Sequence, residues 1–306
     1  MDTARYRAAA RGRMRRNVER GQGMGDGAHR GPARPTGIRL VATDLDGTLL
    51  RDDGTISPRT GAALARVRAA GLVLVLVTAR PPRFLRRLAA SAGLTGLAVC
   101  CNGALVYDLE RGVVVRHTPL GGAIAARLIA GLREAVPGVC FAVEAGERYG
   151  WEPTYAALDG ALVEPDGLTG DALALCRGPV TKLIVRHPDC AAEALLPLVR
   201  RLAGVGAAVT HSGASFVEVA AADVHKAAAL AALCAEIGVS ADATIAFGDM
   251  PNDLPLLAWA GHAVAVANAH PAVLRAADEV TLANQEDGVA VVLERLLQHT
   301  IGKGGC

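Results

Sequence analysis

Two aspartates, Asp44 and Asp46, follow an apolar run at 38–42 and precede Gly47 and Thr48. A carboxylate can attack phosphorus when a cation offsets the repulsion between the anions and a nearby acid protonates the departing oxygen. Two carboxylates at the end of a strand, followed by a glycine that permits a sharp turn, suit this chemistry. The same residues also suit an ordinary turn that ends a strand, so by themselves they leave both interpretations open.

Two further polar groups suit the binding of a phosphate. Thr78, Ala79 and Arg80 follow an apolar run at 72–77, where a hydroxyl and backbone N–H groups can hold phosphate oxygens. Lys226 begins an alanine-rich segment, where its ammonium group can neutralise phosphate charge. Taken singly, each is more often a plain strand end or an exposed lysine.

A second acidic group, Asp249, Asn252 and Asp253, directly follows an apolar run at 244–247. Carboxylate and amide oxygens are the hard ligands that Mg²⁺ prefers. Asn252 and Asp253 also suit the cap of the helix that follows, a role compatible with the first. The sequence therefore predicts a Mg²⁺ site.

The elements that must position these groups alternate between strands and helices. Because strand and helix alternate, the pattern predicts an α/β fold with a Rossmann-like parallel sheet and right-handed crossovers. Polar residues that follow parallel strands meet at one edge of the sheet. The predicted strands are 38–42, 72–77, 96–101, 244–247 and 263–266, and the predicted helices are 58–70, 82–92, 227–237 and 254–260.

A stretch with a different order of helices and strands separates the two halves of this pattern. It has helix-like and strand-like segments in α+β order, so we expect an inserted α+β cap domain at 119–216. The core domain then comprises 37–118 and 217–300, and the Arg/Gly-rich tail at 1–36 is expected to be disordered. The predicted cap helices are 121–135 and 190–203, and its strands are 139–144, 180–186 and 207–219.

Composition limits the possible partners. A formal net charge of +2 gives no general case for a nucleic-acid or membrane partner, and no apolar run approaches the roughly 18 residues that span a bilayer. The seven cysteines form no metal-ligand spacing, which favours reduced thiols. We expect a cytoplasmic protein, monomeric or homodimeric, with no nucleic-acid or membrane partner.

The ordered set of motifs resembles the haloacid dehalogenase superfamily of phosphatases, and in particular its Cof-type branch, subfamily IIB, which has a large α/β cap. The resemblance covers about 37–297. Ala79 departs from it, because glycine is common there. The matching residues are Asp44-Leu45-Asp46-Gly47-Thr48-Leu49, Thr78-Ala79-Arg80, Asn102-Gly103-Ala104, Lys226, Gly248-Asp249-Met250-Pro251-Asn252-Asp253, Asn268-Ala269 and Glu286-Asp287-Gly288-Val289.

The resemblance implies Mg²⁺-dependent hydrolysis of a phosphomonoester. Asp44 is implied as the nucleophile that forms an aspartyl-phosphate, and Asp46 as the group that donates and then accepts a proton. Asp44, the backbone carbonyl of Asp46, and Asp249 are the implied metal ligands. The phosphoryl group is implied to bind Thr78, Ala79, Lys226 and Asn252, with Asp253 and Asn102 in supporting positions.

The cap is expected to choose the substrate, a sugar phosphate or a similar small phosphorylated metabolite. Glu144, Tyr149 and Trp151 are candidates for substrate contacts, since aromatic faces beside polar groups suit such ligands. The alternative is that these aromatic side chains form the core of the cap. Lys182 suits either an anion contact in the cap or a surface charge.

Two other functions fit the same residues. A phosphosugar mutase or phosphotransferase also uses an aspartate nucleophile, but it must exclude water. A catalytically silent phosphate-binding module is disfavoured by the pair Asp44 and Asp46, because binding alone does not need a proton shuttle.

Overall fold

A computed structural model describes residues 37–158, 160–211 and 215–301. The tail predicted at 1–36 lies outside these residues. The described chain divides into two compact units. The first comprises 37–78, 88–98 and 230–301, and the second comprises 79–87 and 99–229 without the undescribed positions. The predicted boundaries of the core and cap domains stay a prediction.

Strands and helices alternate through most of the chain. The strands are β1 (Leu40–Thr43), β2 (Val73–Val77), β3 (Leu97–Cys100), β4 (Leu105–Asp108), β5 (Val113–His117), β6 (Cys140–Ala145), β7 (Arg148–Trp151), β8 (Leu168–Thr169), β9 (Lys182–Arg186), β10 (Ala207–Thr210), β11 (Val217–Ala221), β12 (Thr244–Gly248), β13 (His262–Ala265) and β14 (Glu279–Val280). The α-helices are α1 (Pro58–Ala69), α2 (Pro82–Ala92), α3 (Gly122–Ala135), α4 (Pro153–Ala156), α5 (Ala172–Leu175), α6 (Ala192–Ala203), α7 (Lys226–Glu236), α8 (Leu254–Trp259), α9 (Pro271–Ala276) and α10 (Gly288–Ile301).

The first unit is built on a parallel sheet in the order β14-β13-β12-β1-β2-β3, and the last residues of β3 belong to the second unit. The pairs β14-β13, β13-β12, β12-β1 and β1-β2 are parallel. The central strands consist of Leu, Val, Ile, Ala and Phe with almost no exposed side chain, as expected when helices cover both faces. The predicted α/β fold with a parallel core sheet is confirmed.

Local signals in the sequence set the ends of the first helix. Ser57 accepts a hydrogen bond at its Oγ from the Thr60 N–H (3.0 Å), and Pro58 occupies the first helical position. Gly71, at φ +77°, then allows the chain to turn into β2. This helix therefore ends within one residue of the range predicted from the sequence.

The second unit contains a six-stranded sheet in the order β10-β11-β9-β6-β7-β8. Its pairs are antiparallel except for β7-β8. One face carries apolar side chains such as Phe141, Leu183 and Val219, which pack with residues of α3 and α6. The opposite face carries Tyr149, Trp151 and other buried side chains in a smaller cluster.

Most predicted elements of this second unit are confirmed, with one difference. The stretch predicted as a single strand at 207–219 contains two strands, β10 and β11, which pair with each other in antiparallel fashion. The antiparallel pair β4-β5 and the short strands β7 and β8 were not predicted. Among the described residues, the structure contains no helix with the length and apolar character needed to cross a membrane.

Candidate active site

Three polar residues follow neighbouring parallel strands of the first unit at the same edge. Asp44 follows β1, Thr78 follows β2 and Asp249 follows β12. The Asp44 N–H donates to the Phe247 carbonyl (3.1 Å), so the sheet pairing continues up to the aspartate itself. The sheet therefore brings together three polar residues that lie far apart in the sequence.

Asp44, Asp249 and Asp253 form a cluster of three buried carboxylates. One oxygen from each lies within 4.8 Å of the others, and the residues are 5%, 7% and 0% exposed. Like charges held together away from water repel one another, so such a cluster calls for cations or hydrogen-bond donors. Hard oxygen atoms in this number suit Mg²⁺ as ligands. The donor set therefore fits the divalent cation that the sequence predicts.

Hydrogen bonds from Thr48 and to Asp253 fix the position of Asp249 in this cluster. The Thr48 hydroxyl donates to Asp249 Oδ1 (2.9 Å), which fixes one carboxylate oxygen. Asp253 Oδ2 accepts from the N–H groups of Asp249 (3.2 Å) and Met250 (3.1 Å). Asp253 thus orders the loop that carries Asp249, a contribution that the sequence did not reveal.

Gly47 leaves the space that Asp249 occupies. Its φ is +75°, and a Cβ at this position would lie 2.4 Å from Asp249 Oδ2. Only glycine combines this backbone conformation with the absent side chain. Gly47, in the first motif, is therefore needed to make room for the carboxylate of Asp249.

The turn at 45–49 separates the two aspartates of the first motif. Asp46 has φ −74° and ψ 122°, and the positive φ of Gly47 follows immediately. On a straight strand, residues i and i+2 would point to the same side. Because of the turn, Asp44 is buried whereas Asp46 is exposed. Asp44 thus lies within a shielded carboxylate cluster while Asp46 is accessible to solvent.

Asn268 and Asn284 hydrogen-bond to the same turn. Asn268 Nδ2 donates to the Gly47 carbonyl (2.7 Å), and its Oδ1 accepts from the Asn284 N–H (2.9 Å). Asn284 Nδ2 in turn donates to the Leu50 carbonyl (2.9 Å). Asn268, which belongs to one of the closing motifs identified in the sequence, therefore supports the turn that follows Asp44, together with Asn284.

Asn252 lies in the same loop as Asp253 and is half-buried. The remaining predicted phosphate-binding residues, Ala79 and Lys226, belong to the second unit. Lys226 is only 2% exposed at the first position of α7, which excludes the simple interpretation as an exposed lysine at a helix end. A buried ammonium group requires compensating partners, so its position indicates a specific role.

His225 caps the helix that begins with Lys226. Its Nδ1 accepts from the Ala228 N–H (3.1 Å), and the ring is half-buried. Burial lowers the pKa of His225 below its usual value, while the nearby charge of Asp223 opposes this effect. The neutral imidazole is therefore the form that caps the helix.

Asn102 lies in a strained turn of the second unit. Cys101 and Asn102 have φ of 52° and 55°, an uncommon conformation for residues other than glycine. Gly103 follows at φ +109°, and a Cβ there would lie 2.6 Å from the His225 carbonyl. Asn102 Nδ2 also donates to Glu218 (3.4 Å). The turn 101–103 therefore packs directly against the backbone of His225 and is hydrogen-bonded to Glu218.

The three cap candidates are all buried. Glu144 accepts two hydrogen bonds from Arg83, at 2.6 and 2.9 Å, and Arg83 also pairs with Glu164. Tyr149 and Trp151 lie in the small cluster of the second unit, with their ring centroids 5.3 Å apart. Their packing agrees with the alternative that these aromatic side chains form a core.

Lys182 and Glu218 form a buried ion pair in the second unit that sequence patterns did not identify. The sequence suggested either an anion contact in the cap or a surface charge for Lys182, and its burial excludes the surface charge. The sequence gives no signal for such a pair, because every residue of β9 is buried, including the charged Lys182 and Arg186, so exposure does not alternate along the strand.

Comparisons with known proteins place this geometry in context. The sequence model of haloacid dehalogenase-like hydrolases matches residues 41–293. The 5-amino-6-(5-phospho-D-ribitylamino)uracil phosphatase YcsE of Bacillus subtilis is 29% identical over 83% of this chain and 93% of its own. The pyridoxal phosphate phosphatase YbhA of Escherichia coli is 29% identical over 82% and 96%. A crystal structure of a haloacid dehalogenase-like hydrolase from Bacteroides thetaiotaomicron superimposes with a TM-score of 0.71 at 28% identity, covering 85% of this chain and 99% of that one.

Proposed function

The chain belongs to the haloacid dehalogenase-like hydrolase family, and on this premise we propose that it hydrolyses small phosphomonoesters with Asp44 as the nucleophile. The observation that carries the proposal is the buried cluster of Asp44, Asp249 and Asp253 at the carboxyl edge of the parallel sheet, with an exposed Asp46 two residues from Asp44. The enzyme is a phosphoric monoester hydrolase.

The two aspartates divide the chemistry between them. An Asp44 carboxylate oxygen attacks phosphorus, the bond between phosphorus and the ester oxygen breaks, and Asp46 gives its proton to the departing alcohol. Asp46 then takes a proton from water as the water oxygen attacks the phosphorus of the aspartyl-phosphate. Inorganic phosphate leaves, and Asp44 returns to its carboxylate form. The exposure of Asp46 supports this exchange of protons with solvent.

The residues assigned to the metal are Asp44, the backbone carbonyl of Asp46, and Asp249, and the metal is Mg²⁺. Bound there, it would offset the charge of the phosphoryl oxygens and of the carboxylates. Thr48 fixes one oxygen of Asp249, and Asp253 holds the Asp249 backbone. Asp253 is therefore assigned to support of this loop, even though one of its oxygens belongs to the carboxylate cluster.

The phosphoryl group is assigned to Thr78, Ala79, Lys226 and Asn252. Thr78 supplies a hydroxyl at the end of β2, Ala79 a backbone N–H, and Lys226 a buried positive charge. Glycine in place of Ala79 would offer the same donor, so the methyl group leaves this assignment intact. Asn102 is assigned a supporting position through its hydrogen bond to Glu218.

The substrate is a small phosphorylated metabolite such as a sugar phosphate, and residues 119–216 are proposed as the inserted cap that selects it. The two named relatives act on different compounds, a phosphoribitylamino-uracil and pyridoxal phosphate. Both are small molecules that carry one phosphate. We further propose a cytoplasmic location, which the six described cysteines support because all of them are free thiols.

A panel of phosphorylated metabolites and p-nitrophenyl phosphate, assayed for inorganic phosphate with Mg²⁺ and with EDTA, tests this function. We expect phosphate release that requires Mg²⁺ and disappears in Asp44→Asn. The exposed Asp242→Asn, in the same unit, is the matched control and should keep full activity.

Two outcomes would contradict the proposal. Full activity of Asp44→Asn would refute the assignment of the nucleophile. Isomerisation of a sugar phosphate without net release of phosphate would replace hydrolysis by mutase activity.

A further inference from the structure

Lys182 makes a contact that links the second unit's sheet to the loop assigned to phosphate. Its Nζ donates to the Ala79 carbonyl (3.1 Å) and forms an ion pair with Glu218. Both charged residues are nearly inaccessible, at 5% exposure for Lys182 and 3% for Glu218. The hydrolysis mechanism assigns no role to either of them.

The sheet explains why a lysine can be buried here. Lys182 begins β9, where it lies opposite Glu144 of β6, and Glu218 of the adjacent β11 lies opposite Ile184. All four side chains therefore project from one face of the sheet, so Lys182 lies between two carboxylates. Burial by itself would lower the pKa of Lys182, but the charge of Glu218 and the hydrogen bond to Glu218 act in the opposite direction. Together with the electrostatic effects of Cys101 and Glu144 they raise that pKa, so the ammonium form persists.

The loop that Lys182 contacts is held at a second point. The Cys101 N–H donates to the Arg80 carbonyl (3.1 Å), and this donor lies in the turn where Cys101 and Asn102 adopt positive φ. Asn102 also donates to Glu218, which brings the turn and the ion pair into one network. Backbone strain of this kind persists only when surrounding contacts hold it in place.

We propose that Lys182 is a positioning residue that orients the peptide between Ala79 and Arg80 and so prearranges the phosphate-binding loop. This inference rests on the proposed function. A trans peptide is planar, so fixing the Ala79 carbonyl also fixes the direction of the Arg80 N–H, the donor that follows the Ala79 N–H in the same loop. A charged donor makes this hydrogen bond stronger than a neutral one would. Donors that are already oriented lose little on binding a phosphoryl group, which favours both binding and catalysis.

A merely structural role for Lys182 makes a different prediction, and a pair of variants separates the two. Lys182→Met leaves Glu218 buried without its partner, so the protein should lose stability in either case. Lys182→Met combined with Glu218→Gln removes both charges and should recover most of the melting temperature. If Lys182 orients the loop, the double variant should still bind inorganic phosphate at least about tenfold more weakly than wild type.

The experiment measures three quantities for wild type and these variants: the inhibition constant for inorganic phosphate, kcat and KM for p-nitrophenyl phosphate, and the melting temperature. Lys182→Arg keeps a charged donor and should recover part of the lost phosphate affinity. Arg133→Met removes another ion-paired cation of the second unit, one that pairs with Glu152 and Asp171. It should lower stability without changing the inhibition constant.

The proposal is overturned if the double variant returns to the wild-type inhibition constant and kcat/KM along with its melting temperature. It is also overturned if Lys182→Met and Arg133→Met change phosphate inhibition equally. Absence of phosphate release by the wild-type enzyme on every substrate would refute the proposed function itself, which is a separate result.

Discussion

At the scale of single residues, the site depends on close fits between motifs far apart in sequence. Gly47 gives room to Asp249, and Gly248 gives room to Asp253, whose Cβ would lie 2.6 Å from a Cβ at position 248. These glycines cannot be exchanged for alanine without moving a carboxylate. The requirement is steric at both positions and also conformational at Gly47, whose φ is +75°, and this distinction can be tested.

Gly47→Ala should impair metal dependence more than it impairs folding. Gly54 has nearly the same φ, +78° against +75° for Gly47, but a Cβ there meets nothing within 4 Å. Gly54→Ala is therefore a control for backbone strain, expected to cost about 1 kcal/mol of stability while leaving activity unchanged. Gly47→Ala carries the same strain and also displaces Asp249.

The measurement is the Mg²⁺ concentration that gives half-maximal phosphate release, together with the free energy of unfolding. We expect this concentration to rise about tenfold or more in Gly47→Ala and to stay unchanged in Gly54→Ala. Equal behaviour of the two variants would mean that the contact with Asp249 is unimportant.

Asp46→Asn should separate proton transfer from folding. Because Asp46 is exposed, its substitution should change the free energy of unfolding by less than about 0.5 kcal/mol. Loss of the acid/base should lower kcat by about 10²–10⁴-fold. Steady-state kinetics and urea unfolding check both values, and a decrease in kcat below threefold would argue against the assigned role.

At the scale of elements, the sequence predicted the parallel sheet well because its strands carry a simple signal. Apolar runs such as 72–77, ended by Gly71 on one side and Thr78 on the other, have few alternative structures. The pair β4-β5 was not predicted because the side chains of β5 are exposed or half-buried, and without a buried face they produce no pattern in the sequence. The burial of Lys226 also could not be inferred, because it depends on tertiary packing around the start of α7.

His225 at the start of α7 should make stability depend on pH. Its pKa is lowered in the folded protein, so the unfolded chain binds more protons as the pH falls. The contribution of His225 to stability is therefore complete above its unfolded pKa of about 6.5 and is lost as the pH falls through its lower folded pKa. Protonation would also place a proton on Nδ1, the atom that accepts from Ala228.

His225→Asn keeps a side chain that caps helices but removes the titrating group. At pH 7.5 we expect a free energy of unfolding within about 1 kcal/mol of wild type. Between pH 7.5 and pH 5 the variant should lose less stability than wild type, as measured by urea unfolding at each pH. His117, whose pKa burial also lowers, stays in both proteins and so cancels in the comparison. An identical slope in the two proteins would exclude His225 as a contributor.

At the scale of the whole molecule, the two units have different kinds of core. The parallel sheet of the first unit is built mainly from Leu, Val and Ala, consistent with the 3% aromatic content of the chain. The second unit concentrates aromatic side chains, with Tyr149, Trp151 and Tyr155 in one cluster. Buried carboxylates that suit a metal are found in the first unit, so metal binding should act on the stability of that unit.

Mg²⁺ should raise the stability of the enzyme, and Asp249→Asn should abolish this effect. A ligand that binds only the folded state stabilises it by about 2.7 kcal/mol at one hundred times its dissociation constant. In EDTA, Asp249→Asn should be no less stable than wild type, because one of three clustered charges is gone and an amide oxygen can still accept from Thr48. Melting temperatures in EDTA and in Mg²⁺ should therefore show a gain for wild type and for the exposed control Asp242→Asn, and none for Asp249→Asn. A gain in Asp249→Asn as large as that of wild type would place the metal elsewhere, because removing a ligand oxygen from its own site must weaken binding.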